Sequence, residues 1–175
     1  MKKKTKNVVN FIEGLHNYII NDRSFRKNTS TKSEVEIQRE IRPLILDYLE
    51  EYFKNKGYKD YKKKAYSSFY WEGQEGNFEK ERGSLFGSKN YPDFIITCPY
   101  LVAVEYKQSE SGSLVKQGIG QSLMHTLSED FHYVYLLFHD QNKDKRIEES
   151  VNNEGRESYV INRMWKDNNI MIKFV

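Results

Sequence analysis

The spacing of apolar residues changes character along this chain. Val8, Phe11, Ile12, Leu15, Tyr18 and Ile19 recur at threes and fours, which is one face of a helix, so residues 8–21 read as an amphipathic helix. Residues 22–32 are mostly polar and end it. A second helical pattern runs from about Ser33 to Lys54 through Ile37, Ile41, Leu44, Ile45, Tyr48 and Tyr52. Pro43 lies inside that pattern. It has no N–H and its ring crowds the preceding turn, so a kink or a division of the helix is expected. Gly57 is a natural stop.

The second part of the chain alternates strand and helix patterns. Ala65 to Glu72 is aromatic and reads as a strand, and residues 73–90, with four glycines, read as a long loop. Asp93 to Cys98 and Leu101 to Lys107 are two short strands joined at Pro99-Tyr100. Helical spacing over 113–128, a strand from His132 to Phe138, a charged helical region over 144–166 broken near Gly155, and a strand from Ile170 to Val175 complete the series. The order α-α-β-β-β-α-β-α-β predicts an α/β protein: a mixed β-sheet flanked by helices, with an N-terminal helical segment. One domain is expected over 1–175, made of a helical arm (1–32), a core (33–140) and a closing helix and strand (141–175).

Composition narrows the class. The chain has 175 residues and one cysteine, Cys98, so a disulfide framework and a four-cysteine zinc site are excluded. No apolar run approaches the ~18 residues of a membrane span. Met1-Lys2-Lys3-Lys4 is not followed by the apolar stretch of a signal peptide, so a cytoplasmic protein without membrane partners is expected. The net charge of +3 conceals an asymmetry. Residues 1–64 carry 16 Lys+Arg against 9 Asp+Glu, net +7, whereas residues 65–175 carry 12 against 16, net −4. A basic half points to a polyanionic partner.

Candidate chemistry sits on the two short strands. Residues two apart in a strand share a face, so Glu105 and Lys107 point one way and Tyr106 the other. If Thr97 faces Leu101, Asp93 stands opposite Glu105. One face then collects Phe94, Ile96, Val102, Val104 and Tyr106, and the other collects Asp93, Glu105 and Lys107. A one-residue slip would set Asp93 against Tyr106 and mix both faces. Two converging carboxylates call for a cation between them, and hard oxygen ligands suit Mg²⁺, with Mn²⁺ able to substitute. The Tyr106 carbonyl is a further candidate ligand, and Lys107 a partner for a phosphate or its attacking water. The alternative is a surface Asp and a Glu–Lys pair on an edge strand.

Pro92-Asp93, eleven intervening residues and Glu105-Tyr106-Lys107 together resemble the motif of the PD-(D/E)XK nuclease superfamily, and the element order resembles its restriction-endonuclease-like fold over roughly residues 33–140. The resemblance implies metal-dependent hydrolysis of DNA phosphodiester bonds, with Asp93 and Glu105 as metal ligands and Lys107 beside the attacked phosphate. Superfamily members often carry an acidic residue on the helix before the sheet. Glu34, in line with the apolar stripe of that helix, is the first candidate, ahead of Glu40 and Glu36; a capping box Thr31-x-x-Glu34 explains Glu34 equally well. On the later helix Gln117, Gln121 and His125 are spaced by four and form a polar stripe. Gln121-x-x-x-His125 resembles the Gln-x-x-x-Tyr motif of some branches, with His in place of Tyr. Close packing against the sheet is expected to explain Gly118 and Gly120.

Lys54, Lys56, Lys59, Lys62, Lys63 and Lys64 crowd into eleven residues with Tyr58 and Tyr61 between them. Lys62, Lys63 and Lys64, with Gln117, are candidate contacts to a nucleic-acid backbone; a solubilising surface is the plainer reading of the lysines. The four histidines lie on separate elements without a two-His metal spacing, no glycine-rich phosphate loop precedes a helix, and Gly120-Gln121-Ser122 lacks the second glycine of a nucleophile elbow. The expected function is a Mg²⁺-dependent endodeoxyribonuclease of restriction or homing type, acting on double-stranded DNA as a homodimer or higher homo-oligomer. A structure-specific nuclease such as a Holliday junction resolvase and a non-catalytic nucleic-acid-binding module are the alternatives.

Overall fold

The computed structural model describes residues 3–23, 25, 32–72, 74, 84–85, 88–89, 91–127 and 131–175, and the chain falls into two compact units, 1–70 and 71–175. The first unit is helical. Its helices are α1 (Lys3–Asn21), α2 (Glu34–Asn55) and α3 (Tyr61–Ser67). On α1 the predicted Val8, Phe11, Ile12, Leu15 and Ile19 are buried; on α2 Ile37, Ile41 and Ile45 are buried as predicted, but the stripe continues through Leu49 and Phe53, and the predicted Leu44, Tyr48 and Tyr52 are half-buried. Each such side chain removed from water contributes about 1.5–3 kcal/mol, which is what holds two otherwise marginal helices together. Tyr48 Oη donates to the Phe11 carbonyl at 2.8 Å, and a Cβ at Gly14 would lie 2.6 Å from that same oxygen, so the helices approach closely only because position 14 has no side chain.

Two expectations for this unit change and one narrows. Of the kink or division expected at Pro43, division does not occur: α2 runs unbroken over 22 residues with the proline on its exposed face. The capping box is not Thr31-x-x-Glu34, and Thr31 lies outside the described residues. Ser33 is the N-cap instead: its Oγ accepts from the Glu36 N–H, and Glu36 Oε2 accepts the Ser33 N–H at 2.8 Å. The helix therefore starts at Glu34, and the box falls two residues later. Residues 65–67 are helical rather than extended. The lysines and Ala65 favour a short helix, which ends where Ser68 Oγ donates back to the Lys64 carbonyl.

The second unit is built on a sheet of order β1-β4-β5-β6-β7, formed by β1 (Phe69–Trp71), β4 (Phe94–Ile96), β5 (Val102–Ser109), β6 (Tyr133–Asp140) and β7 (Ile170–Phe174). The boundary between the units falls within β1. The sheet is mixed, as predicted: β4–β5 is antiparallel, whereas β5–β6 and β6–β7 are parallel. A second pairing joins β2 (Ser84–Leu85) to β3 (Ser88–Lys89) inside the stretch expected to be loop; the rest of that stretch, apart from Gln74, lies outside the described residues. The crossover from β5 to β6 is α4 (Gly112–Leu127), and that from β6 to β7 is α5 (Arg146–Asn152) followed by α6 (Arg156–Asn168), with the break at Gly155 that the sequence predicts. Asp140 organises the turn into α5. Its Oδ2 accepts the N–H groups of Ile147 and Glu148 and its Oδ1 those of Asn142, which satisfies donors that a helix start leaves open. Burial pushes the Asp140 carboxyl up, but these hydrogen bonds together outweigh it and hold the group below its ordinary value. No helix among the described residues is long and apolar enough to cross a membrane.

Candidate active site

The β4–β5 register places Phe94 against Val104, Ile95 against Ala103 and Ile96 against Val102. Continued by one residue, it sets Asp93 against Glu105, the register that the hydrophobic pattern predicts. The Asp93 carbonyl accepts from Glu72 N–H, away from β5. Asp93 thus stands one position beyond the last ladder pair, Phe94 with Val104, and beside Glu105. Both side chains are buried, at 8% and 2% exposure.

One oxygen of each carboxylate has a fixed partner. Asp93 Oδ2 accepts the backbone N–H of Tyr106 at 2.7 Å. In a regular ladder that N–H would go to the carbonyl of Pro92, the residue opposite. Pro92 in turn has no N–H for the Tyr106 carbonyl, so the ladder ends here and the aspartate takes its place. Glu105 Oε1 lies 2.6 Å from His125 Nε2. In the row across the sheet, Glu105 is followed by Leu136 and Ile172, so on the β6 side its surroundings are apolar. An isolated carboxylate there would be costly, and the imidazole N–H meets that need.

Helix α4 supplies the histidine because of how its sheet-facing stripe runs. The buried positions are Val115, Gly118, Ser122 and His125, spaced by three, four and three. A Cβ at Gly118 would stand 3.2 Å from Leu136 Cδ2 and 3.4 Å from Lys107 Cγ, so the helix lies directly over the row that carries Glu105 and the stem of Lys107. The expectation for Gly118 holds. It fails for Gly120, where an added Cβ would meet nothing within 4 Å.

The predicted site residues divide accordingly. Asp93, just before β4, meets the Tyr106 N–H, and Glu105 and half-buried Lys107 share one face of β5. The polar stripe of α4 winds: a step of four residues advances about 40°, so Gln117 is exposed, Gln121 is half-buried and His125 is buried. Gln121 Oε1 and Ser122 Oγ are buried with no hydrogen-bond partner among the described residues. Glu34, Glu36 and Glu40 belong to the first unit. Glu36 caps α2, Glu40 pairs with Lys32, and Glu34 occupies the first helical position, half-buried. Lys62 and Lys63 are exposed on α3, and Lys64 is half-buried. His125 is the residue that the motif reading undervalued. Its signal was present, since it falls three residues after Ser122 and seven after Gly118 on the stripe that must face the sheet.

On the opposite sheet face, Tyr106 Oη donates to Gln108 Oε1 at 3.1 Å and lies 3.2 Å from His139 Nδ1. Burial, followed by the charge of Lys145, lowers the His139 pKa to about 4. A cleft of about 520 Å³ between α4, α5 and α6 has an apolar floor that includes Val115, Ile119 and Ile161; none of Asp93, Glu105, Lys107 or His125 lines it.

The donor set at the register row is oxygen only: two carboxylates and a main-chain carbonyl at a broken ladder position. Such a set fits a hard divalent cation. Among the described residues, no three His, Cys, Asp or Glu side chains gather as a metal-holding group, so any further ligands would be the carbonyl or water. No family model, curated protein or solved structure matches the chain.

Proposed function

We propose that the chain is a Mg²⁺-dependent endonuclease that hydrolyses DNA phosphodiester bonds, with a restriction-endonuclease-like core of the PD-(D/E)XK kind. The observation that supports it is the β4–β5 register: carried one residue beyond its last pair, Phe94 with Val104, it sets Asp93 beside Glu105, and Lys107 alternates onto the Glu105 face of β5. Asp93, Glu105 and the Tyr106 carbonyl would hold the cation, for which Mn²⁺ can substitute. When bound, such a cation makes nearby water more acidic and offsets charge developing on a phosphate.

The rest of the work falls to the chain. Asp93 is locked by the Tyr106 N–H and Glu105 by His125, so neither carboxylate must be ordered when substrate arrives. Lys107, whose stem packs beneath Gly118, holds a phosphate oxygen and stabilises the charge that grows there. Exposed Lys62 and Lys63, with Lys64, give sequence-independent contacts to the phosphate backbone. One such site per chain cuts one strand, so cutting a duplex calls for a homodimer or higher homo-oligomer.

The direct test incubates the protein with plasmid, linear, single-stranded and branched DNA, with and without Mg²⁺. Cleavage that EDTA stops and Asp93→Ala abolishes is the expected result; cleavage insensitive to either overturns the mechanism. Preference for branched DNA would identify a junction-resolving nuclease. A non-catalytic nucleic-acid-binding module is the second reading, favoured by the fact that Glu105 Oε1 is already engaged by His125. It predicts DNA binding without Mg²⁺-dependent cleavage.

A further inference from the structure

His125 and Glu105 are each about 2% exposed, and they meet at 2.6 Å from different elements, α4 and β5. A carboxylate can only accept, so Nε2 carries the proton of this bond. The imidazole is itself held: its ring meets Phe131 edge-on, with centroids 5.6 Å apart. The contact is therefore a fixed donor aimed at one oxygen of a buried acid. Asp93, in the same register row, has one oxygen fixed as well, by the Tyr106 N–H. Of these two neighbouring carboxylates, Asp93 has Oδ2 tied to the backbone of β5 and Glu105 has Oε1 tied to α4. Rotation of either carboxyl group would break a short, buried bond.

We propose that His125 is a positioning residue for a divalent-cation site: it holds Glu105 by Oε1 and thereby presents Oε2 to the cation. This rests on the placement of the cation at Asp93 and Glu105 under the proposed function. Outer partners of this kind set ligand orientation, and their loss costs about 10–100-fold in metal affinity. His125 contributes through Glu105 and does not touch the substrate. Gln at this position reaches as far as Nε2 and still donates; Leu fills similar space without a donor; Asn is too short to reach Glu105.

The experiment titrates the full chain with Mn²⁺ alone, without DNA, following bound metal by electron paramagnetic resonance, and checks each variant by circular dichroism. Wild type binds Mn²⁺ and Asp93→Ala does not. His125→Leu binds about 10–100-fold more weakly, and His125→Gln restores most of the affinity. In cleavage assays, His125→Leu shifts the Mg²⁺ concentration for half-maximal rate more than the rate at saturation. A folded His125→Leu with wild-type Mn²⁺ affinity, or a folded His125→Gln as weak as His125→Leu, overturns the proposal. Should His125→Leu not fold, His125→Asn takes its place with the same two outcomes. Absence of Mn²⁺ binding by wild type instead sinks the cation site under the proposed function, and this inference with it.

Discussion

Asp93 Oδ2 accepts the backbone N–H of Tyr106 across 2.7 Å, in place of a main-chain carbonyl. The aspartate thus has two separable properties: it completes the end of a strand ladder, and it brings charge to the row of Glu105.

Asp93→Asn separates them. The amide oxygen still accepts the Tyr106 N–H, so urea unfolding stays near wild type, while DNA cleavage falls at least about 100-fold because the charge is gone. Asp93→Ala also strands a buried N–H and costs a further ~1–3 kcal/mol of stability. Wild-type cleavage by a folded Asp93→Asn would remove the carboxylate from the mechanism.

The two glycines of α4 respond oppositely to alanine. Gly118→Ala drives a Cβ to within 3.2 Å of fully buried Leu136, and the overpacking outweighs the gain in helix propensity, for a net loss of about 1 kcal/mol. Gly120→Ala meets open space and stabilises by about 0.5–1 kcal/mol. Urea midpoints moving in the same direction would contradict the packing of α4 on β6.

Stability should fall between pH 6.5 and 4 through His139. Its folded pKa of about 4 lies below the unfolded value of 6.5, so the unfolded chain takes up the proton first as pH drops. The contribution is whole above about pH 6.5, declines down to about pH 4, and is flat below. After allowance for solvent screening it amounts to about 2 kcal/mol. His139→Phe should lose this slope, and Tyr106 Oη keeps Gln108 as its acceptor. Parallel stability curves for wild type and variant over pH 4–7 would refute the assignment.

Asp140 accepts four hydrogen bonds from Asn142, Ile147 and Glu148 and is fully buried. Asp140→Ala leaves those donors without their acceptor and should cost about 2–4 kcal/mol. Asp140→Asn, which keeps acceptors on one side only, should lose roughly half of that. Thermal melts of the two variants check the order.

Lys62→Ala and Lys63→Ala should each weaken DNA binding evenly across sequences. Each should also reduce the slope of log affinity against log salt by about 1. Fluorescence anisotropy at several salt concentrations measures this, and an unchanged slope in the double variant would exclude α3 from the DNA contact.

Much of this is legible in the amino-acid sequence. The alternation of residues 93–107 favours one register, because a slip of one residue mixes the two faces of the hairpin. The place of Asp93 beside Glu105 and the face of Lys107 follow from that, and the break at Gly155 in the closing helical region follows from the poor helix propensity of glycine. Local propensity was a poorer guide at Ala65–Ser67, where aromatic residues suggested a strand but a short helix forms. It also misled at Thr31–Glu34, where the cap falls on Ser33.

What the chain determined by itself is therefore local order and strand register, since both depend on residues close in sequence or on the two faces of a single hairpin. The partnership of His125 with Glu105, the difference between Gly118 and Gly120, and the burial of Asp140 depend on which elements the crossovers bring together. Spacing along α4 shows that His125 faces the sheet. Only packing of that helix over β5 and β6 decides which carboxylate its Nε2 meets.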